Sequence, residues 1–531
     1  MEQDNPKMNR RSFVLSSLAL PACQSTTGPR EGSFWGPQIG HFSLYQGNRN
    51  GHVQKEVDVL IVGAGISGLS AAWRLARENP ALRVEVLELA PFPGGTSASL
   101  QGDLGSYPLG AHYITIPSKE AFYMRQMLSD MGLCSLQKDK PPIYNPLNLC
   151  LAPEERVYAH ERWQLGLWPQ FGVLPEETKQ YRAFREYCAQ LKSTIGIDNK
   201  PVFSIPIAYS SQDPQYQRWK TISFYDWLLE EGYTTPKLHW WLEYATKDDY
   251  GTALQGCSAW AGLHYFCARR PYIAQSVDLG THILTWESGN GALVQKLLQL
   301  MPWKIRYNAI VQSVDAQSGH VFFIEGKEQK TIRADHIILA IPSAVRANLL
   351  EQSWENLPQA SPWIVAQIAC KELPQSKSGC PYAWDNVLYG SESVGYIVNT
   401  HQRGNYGGPS TLSWYLPFYD VDLVKARKQA AKEDWWSIED RILSEFSLSH
   451  RNATEAISRI DVNVWGHGTV RPEVGLHATP LLKNLQAPVS RVHFAHCDLS
   501  GISLFEESAW HGVRAAEAVL SQSNDNITSL L

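Results

Sequence analysis

The feature that most constrains the fold is Gly63-Ala64-Gly65-Ile66-Ser67-Gly68, a GxGxxG turn between the β-branched run 57–62 and a helical pattern over 67–78. A second apolar strand is expected at 83–87, and Glu88 stands at its end, twenty residues after Gly68. Strand, glycine turn, helix, strand and terminal acid form the context in which this turn binds a dinucleotide. Gly63 permits the tight turn, Gly65 lets a diphosphate approach the backbone, and Gly68 allows the helix to pack on the strand. Ile66 and Ser67 open the helix, whose unpaired N–H groups and partial positive charge suit the diphosphate. Glu88 can accept both ribose hydroxyls. The turn alone does not separate NAD from FAD.

The continuation does. Gly94-Gly95-Thr96 begins six residues past the acid, and Tyr107-Pro108-Leu109-Gly110-Ala111-His112 follows. Further on come Val311, after 307–310, and Ala340-Ile341-Pro342. Near the end are 492–498 with Asp498, then Gly501, then Phe505-Glu506-Glu507 opening a helix that runs through Ala516. In these residues the chain resembles the flavin-containing amine oxidase superfamily, which also embraces protoporphyrinogen oxidase and phytoene-desaturase relatives. The resemblance spans 56–520 and implies FAD. His467 falls where some relatives attach the flavin through Cys, and a His could bond the 8α position, but a non-covalent FAD is expected. By that likeness the Gly94-Gly95-Thr96 and Gly110-Ala111-His112 segments pass close to the flavin phosphates and ribityl chain. The backbone at Val311 brackets the adenine, and Asp498 accepts a hydroxyl hydrogen bond from the ribityl or diphosphate side. Gly501, Phe505 and Glu506 bring a helix N-terminus to the isoalloxazine carbonyls, and His467 packs at the dimethylbenzene edge.

The likeness weakens at the reaction site. The family's lysine near flavin N5 falls on Val365, counted from Lys371-Glu372, and two aromatic cage positions fall on Leu504 and Gly468. Candidate catalytic groups are therefore Trp260 and His264, four apart on a helical pattern, and His401 in a sheet block that also holds Trp384-Asp385-Asn386. Asp248-Asp249 is a carboxylate pair that could attract a cationic amine, but a helix cap or solvated turn before Gly251 is the expected reading. The leading expectation is an FAD-dependent oxidoreductase taking a hydride from a small-molecule amine, a polyamine among them. The alternatives are a desaturase or isomerase of an apolar substrate and a catalytically silent flavoprotein binding module. The electron acceptor could be oxygen, a quinone or a protein.

The chain has 531 residues, too many for one core. The expected class is α/β, a Rossmann-like FAD-binding domain interleaved with an α+β substrate domain of mixed sheet plus helical insertion. FAD-binding parts are expected at 56–117, 286–345 and 461–520. A mainly helical substrate or cap region is expected at 118–285, a sheet and helix at 346–460, and a tail at 521–531. Residues 24–55 read as a tether and surface arm without apolar period. Before them, Asn9-Arg10-Arg11-Ser12-Phe13 resembles a twin-arginine export signal, and Leu20-Pro21-Ala22-Cys23 resembles a lipobox. Residues 1–23 are thus expected to engage the twin-arginine machinery and anchor an extracytoplasmic lipoprotein to the membrane at Cys23. A net charge of −5 argues against nucleic-acid binding. None of the eight other cysteines is in a CxxC pair, so no metal site is expected.

Overall fold

The computed structural model describes residues 31–35, 53–274, 283–352, 356–404, 406–522 and 526–531. The signal and lipobox residues lie outside these.

Two sheets carry the architecture. The first has seven strands, and its centre is parallel. Lys55–Val62 lies between Val84–Leu87 and Glu328–Leu339, and Val492–Phe494 pairs in parallel with the end of Glu328–Leu339. Parallel strands covered on both faces need continuous apolar side chains, which Val59–Val62 and Ile337–Leu339 supply. Helices Ile66–Glu78, Gly291–Gln299 and Phe505–Leu520 pack together in one apolar cluster on this sheet. Segments from the start, middle and end of the chain thus make one domain.

The second sheet has eight strands in the order Glu31–Trp35, Ile457–Val470, Ala360–Cys370, Ser410–Pro417, Tyr396–Val398, Asp385–Leu388, Glu155–Ala159 and Arg162–Leu165. Three expectations change here. The 24–55 arm contains the strand Glu31–Trp35, held by backbone pairing that leaves no apolar period to read. The 118–285 region supplies two strands to this sheet besides its helices. Ile457–Val470 pairs along most of its length with Ala360–Cys370, so the boundary at 460/461 cuts a strand of the substrate sheet. The helices Pro175–Ser193, Phe224–Glu230, Pro236–Tyr250 and Ala259–Cys267 form a separate aromatic-rich core beside it.

Candidate active site

The glycine turn sits where the parallel strands end. Gly68 must lack a side chain, because a Cβ there would lie 1.9 Å from the Gly63 carbonyl oxygen. Gly65 differs: a Cβ there would meet nothing within 4 Å, so the space above the helix N-terminus is open. The Gly94 amide donates to the Ala64 carbonyl at 2.8 Å, and the Ala111 amide donates to the Thr96 carbonyl at 2.8 Å. These bonds bring the Gly63–Gly68, Gly94–Thr96 and Gly110–His112 segments to one cleft. Glu88 is fixed by the amides of Ala64 (2.6 Å) and Ala90 (2.8 Å), and the Ala309 amide donates to its carbonyl at 2.9 Å. That last bond starts the strand bearing Val311.

Asp498 accepts from the Ser343 amide through Oδ2 at 2.6 Å. Its Oδ1 is buried 3.1 Å from His496 Nδ1. Burial lowers this imidazole, but Cys497 and Asp498 outweigh it and raise the group well above its ordinary value, so it faces Oδ1 as a cation. Burial raises the Asp498 carboxyl, but His496 and Ser343 outweigh it and hold the group below the usual carboxylate range. Glu506 begins the Phe505–Leu520 helix and accepts from Thr115 Oγ1 at 2.7 Å. A buried anionic acceptor and an open, donor-rich helix N-terminus fit a flavin dinucleotide.

Beyond Gly110 the cleft becomes aromatic. The His112 ring meets Tyr113, Trp384 and Tyr415 at centroid distances of 5.2, 5.2 and 4.9 Å. Burial pushes the imidazole down to about 4, so it is neutral at physiological pH, and its Nδ1 lacks a hydrogen-bond partner. Tyr415 Oη donates to the Gly110 carbonyl at 3.0 Å, and Trp465 Nε1 donates to that of Leu109 at 2.7 Å. Val365 lies between Tyr415 and Asn463 in register, at the centre of the substrate sheet.

Behind the aromatic wall is a group of carboxyls. Asp385 and Glu155 are register partners on adjacent parallel strands, so their side chains leave the sheet on one face. Tyr244 Oη donates to Asp385 Oδ2 at 3.0 Å. Asp248 and Asp249 occupy the last turn of Pro236–Tyr250, not a cap, where the helix dipole disfavours anions. Arg269 pairs with Asp249 at 2.6 Å. Asp248, Asp385 and Glu155 have no cation within ion-pair distance among the described residues. Burial, then neighbouring carboxylates, push Asp248 up to about 7 and Glu155 up to about 8, and raise Asp385 strongly. All three keep partial exposure while being strongly desolvated, as groups lining an internal cleft do.

The other sequence candidates are placed differently. His401 Nε2 is 2.7 Å from the Leu151 carbonyl, and Tyr406 Oη is 2.7 Å from Nδ1, so both ring nitrogens are engaged in packing. His264 shares a 3.0 Å hydrogen bond with the Ser204 carbonyl, and burial pushes it down to about 3. Trp260 stacks on it within the helical core, and a neutral, hydrogen-bonded imidazole there serves structure. His467 is exposed on its strand, where Nδ1 meets Arg427 Nη2 at 3.3 Å, so it is not enclosed at a flavin edge. Lys371 is exposed at the end of its strand. Sequence reading passed over Glu155 and Tyr244. The adjacent acids Glu154-Glu155 were the only signal, and nothing local marks them as buried.

A family model of flavin containing amine oxidoreductases matches residues 66–520. Among curated proteins, the thiamine thiazole synthase of Eremothecium gossypii is 55% identical over 49 residues, which is 9% of this chain and 14% of that protein. Putrescine oxidase, solved with putrescine bound, is 15% identical with a TM-score of 0.60, covering 88% of this chain and 99% of that one. Cyclohexylamine oxidase from Brevibacterium oxydans is 16% identical with a TM-score of 0.62 and the same coverage. At these identities the structural likeness is one of fold. Taken with the family match, the chain belongs to the flavin containing amine oxidoreductases and is a flavin-dependent oxidoreductase.

Proposed function

We propose that this protein uses a non-covalently held FAD to oxidise an amine. The observation that carries the reading is the cation-free group Asp248, Asp385 and Glu155 behind the His112, Tyr113, Trp384 and Tyr415 wall. Desolvated carboxyls without a cation are costly to ionise. A bound ammonium relieves that cost, whereas an apolar alkene does not, and a silent binding module gains nothing from it. Bound FAD supplies a two-electron acceptor. Gly65, Glu88 and Asp498 would hold its adenosine diphosphate and ribityl parts. The aromatic wall would exclude water and orient the carbon next to nitrogen, while a nearby carboxylate receives the proton that the substrate ammonium releases.

The test is anaerobic mixing of the purified yellow protein with a panel of amines and apolar alkenes. The expected result is bleaching of the oxidised-flavin band by amines and not by alkenes. Bleaching by alkenes alone supports the desaturase reading. No bleaching by either, in a protein that dithionite reduces normally, sinks amine oxidation.

We further propose that the protein is exported folded and anchored through Cys23. No helix among the described residues is long and apolar enough to cross a membrane, so retention would depend on the acyl group. Cys23→Ser is expected to shift the protein from the membrane fraction to the soluble one. Unchanged retention would argue against the lipid anchor.

A further inference from the structure

Between the Pro175–Ser193 helix and the outer edge of the substrate sheet lies a cavity of about 870 Å³, within the range that holds elongated small molecules. Aromatic rings line much of it. Trp168 stacks on Tyr181 with centroids 4.1 Å apart, and Trp241 meets Phe266 at 4.9 Å. Its walls carry opposite charges, with Glu154 and Glu155 on the sheet side and basic residues on the helix. Glu155 lines the cavity and also acts on Asp385, so the space borders the carboxyl group described above.

The opposite wall carries Arg182, Arg185 and Lys192. At about 100° per residue these three fall within about 80° of each other on one helix face, along about 15 Å of its length. None of them forms an ion pair with a carboxylate among the described residues. Arg185 instead reaches the Tyr181 ring, 5.7 Å from its centroid. A cavity with carboxylates on one wall, cations on the facing helix and aromatic rings among them orients any ligand that carries both charges.

We infer that the cavity takes an amine bearing a carboxylate or phosphate at its far end, ammonium towards Glu155 and anion on Arg182, Arg185 and Lys192. This rests on the amine-oxidation reading and narrows it. A diamine of the same length would set its second ammonium against three unpaired cations. A plain alkylamine would leave those cations without a partner. The guanidinium fork matches both carboxylate and phosphate, so geometry does not choose between them.

The experiment compares hexylamine, hexanediamine, aminohexanoate and aminohexyl phosphate, with shorter and longer homologues, as reductants of the intact holoprotein. The same series is run on the triple variant Arg182→Glu/Arg185→Glu/Lys192→Glu, whose positions lie on a solvent-bordered helix face. At the best chain length, the amine with an anionic end is expected to half-saturate at about tenfold lower concentration than the diamine. The triple variant is expected to reverse that order while keeping wild-type flavin content and melting temperature. Whether the carboxylate or the phosphate series leads identifies the anionic group. A diamine preferred at every length, or an unchanged order in the triple variant, overturns the inference. Should no amine reduce the flavin, the oxidation reading falls, and calorimetry with aminohexanoate and aminohexyl phosphate decides the cavity separately. Binding that the triple variant weakens upholds the assignment, and no binding by the wild type removes it.

Discussion

Gly65→Leu yields a folded, colourless protein. The Gly65 backbone is ordinary for any residue, with φ −71°, and its missing Cβ faces open space, so a leucine neither strains the chain nor collides with protein. The leucine does occupy the space over the first amides of Ile66–Glu78, where the diphosphate would approach. The flavin absorbance relative to protein absorbance should fall to near zero, and added FAD should not restore it. The melting temperature should drop only to that of wild-type protein stripped of flavin, because the loss is one of ligand stabilisation. Gly68→Leu is the contrasting control: the close Gly63 carbonyl should make that variant misfold outright. A yellow Gly65→Leu protein with normal flavin content would refute the cofactor assignment.

The second large effect is on substrate affinity and its pH dependence. A cationic substrate needs ionised carboxyls, yet Asp248 and Glu155 hold their protons up to about 7 and about 8. KM for an amine is therefore expected to fall as pH rises through that range. Glu155→Gln should raise KM by about tenfold to a hundredfold and flatten the upper part of the pH profile. Stability moves the other way. Between the ordinary glutamate value of 4.5 and about 8, the native state keeps a proton on Glu155 that the unfolded chain has lost. Wild-type stability accordingly declines across this window as pH rises. Glu155→Gln removes that decline, so it should melt above the wild type at alkaline pH and alongside it below 4.5. A pH-independent KM, unchanged in Glu155→Gln, would show that these carboxyls do not meet the substrate.

The cofactor cleft was legible because its parts are local. Strand, turn and helix follow one another through Gly63–Gly68, and the C-terminal segment around Asp498 repeats that logic. The substrate side was not, because its groups come from three distant segments. Asp248-Asp249 reads as a polar pair before Gly251, and only tertiary packing shows that Glu155 and Asp385 face it. His264 was a candidate by its spacing from Trp260 and His401 by its place in the sheet block, and the hydrogen bonds that occupy them join segments far apart in sequence. The strand Glu31–Trp35 was invisible for a related reason: beyond its backbone pairing it is held by Phe34 against the core and by Ser33 on Asp461 and Glu31 near Arg459, partners 428 residues away.

That strand has a consequence for how the protein can be handled. Glu31–Trp35 covers the backbone of Ile457–Val470 from Arg459 to Asn463, at what is otherwise the bare margin of an eight-stranded sheet. An uncovered margin is a template on which another chain can add. A protein cut back to begin at the first Rossmann strand keeps its cofactor cleft but offers that margin to its neighbours. Retaining Glu31–Trp35 replaces that long margin with the short one of its own five residues, so protein for the experiments above is expected to associate less when the strand is kept.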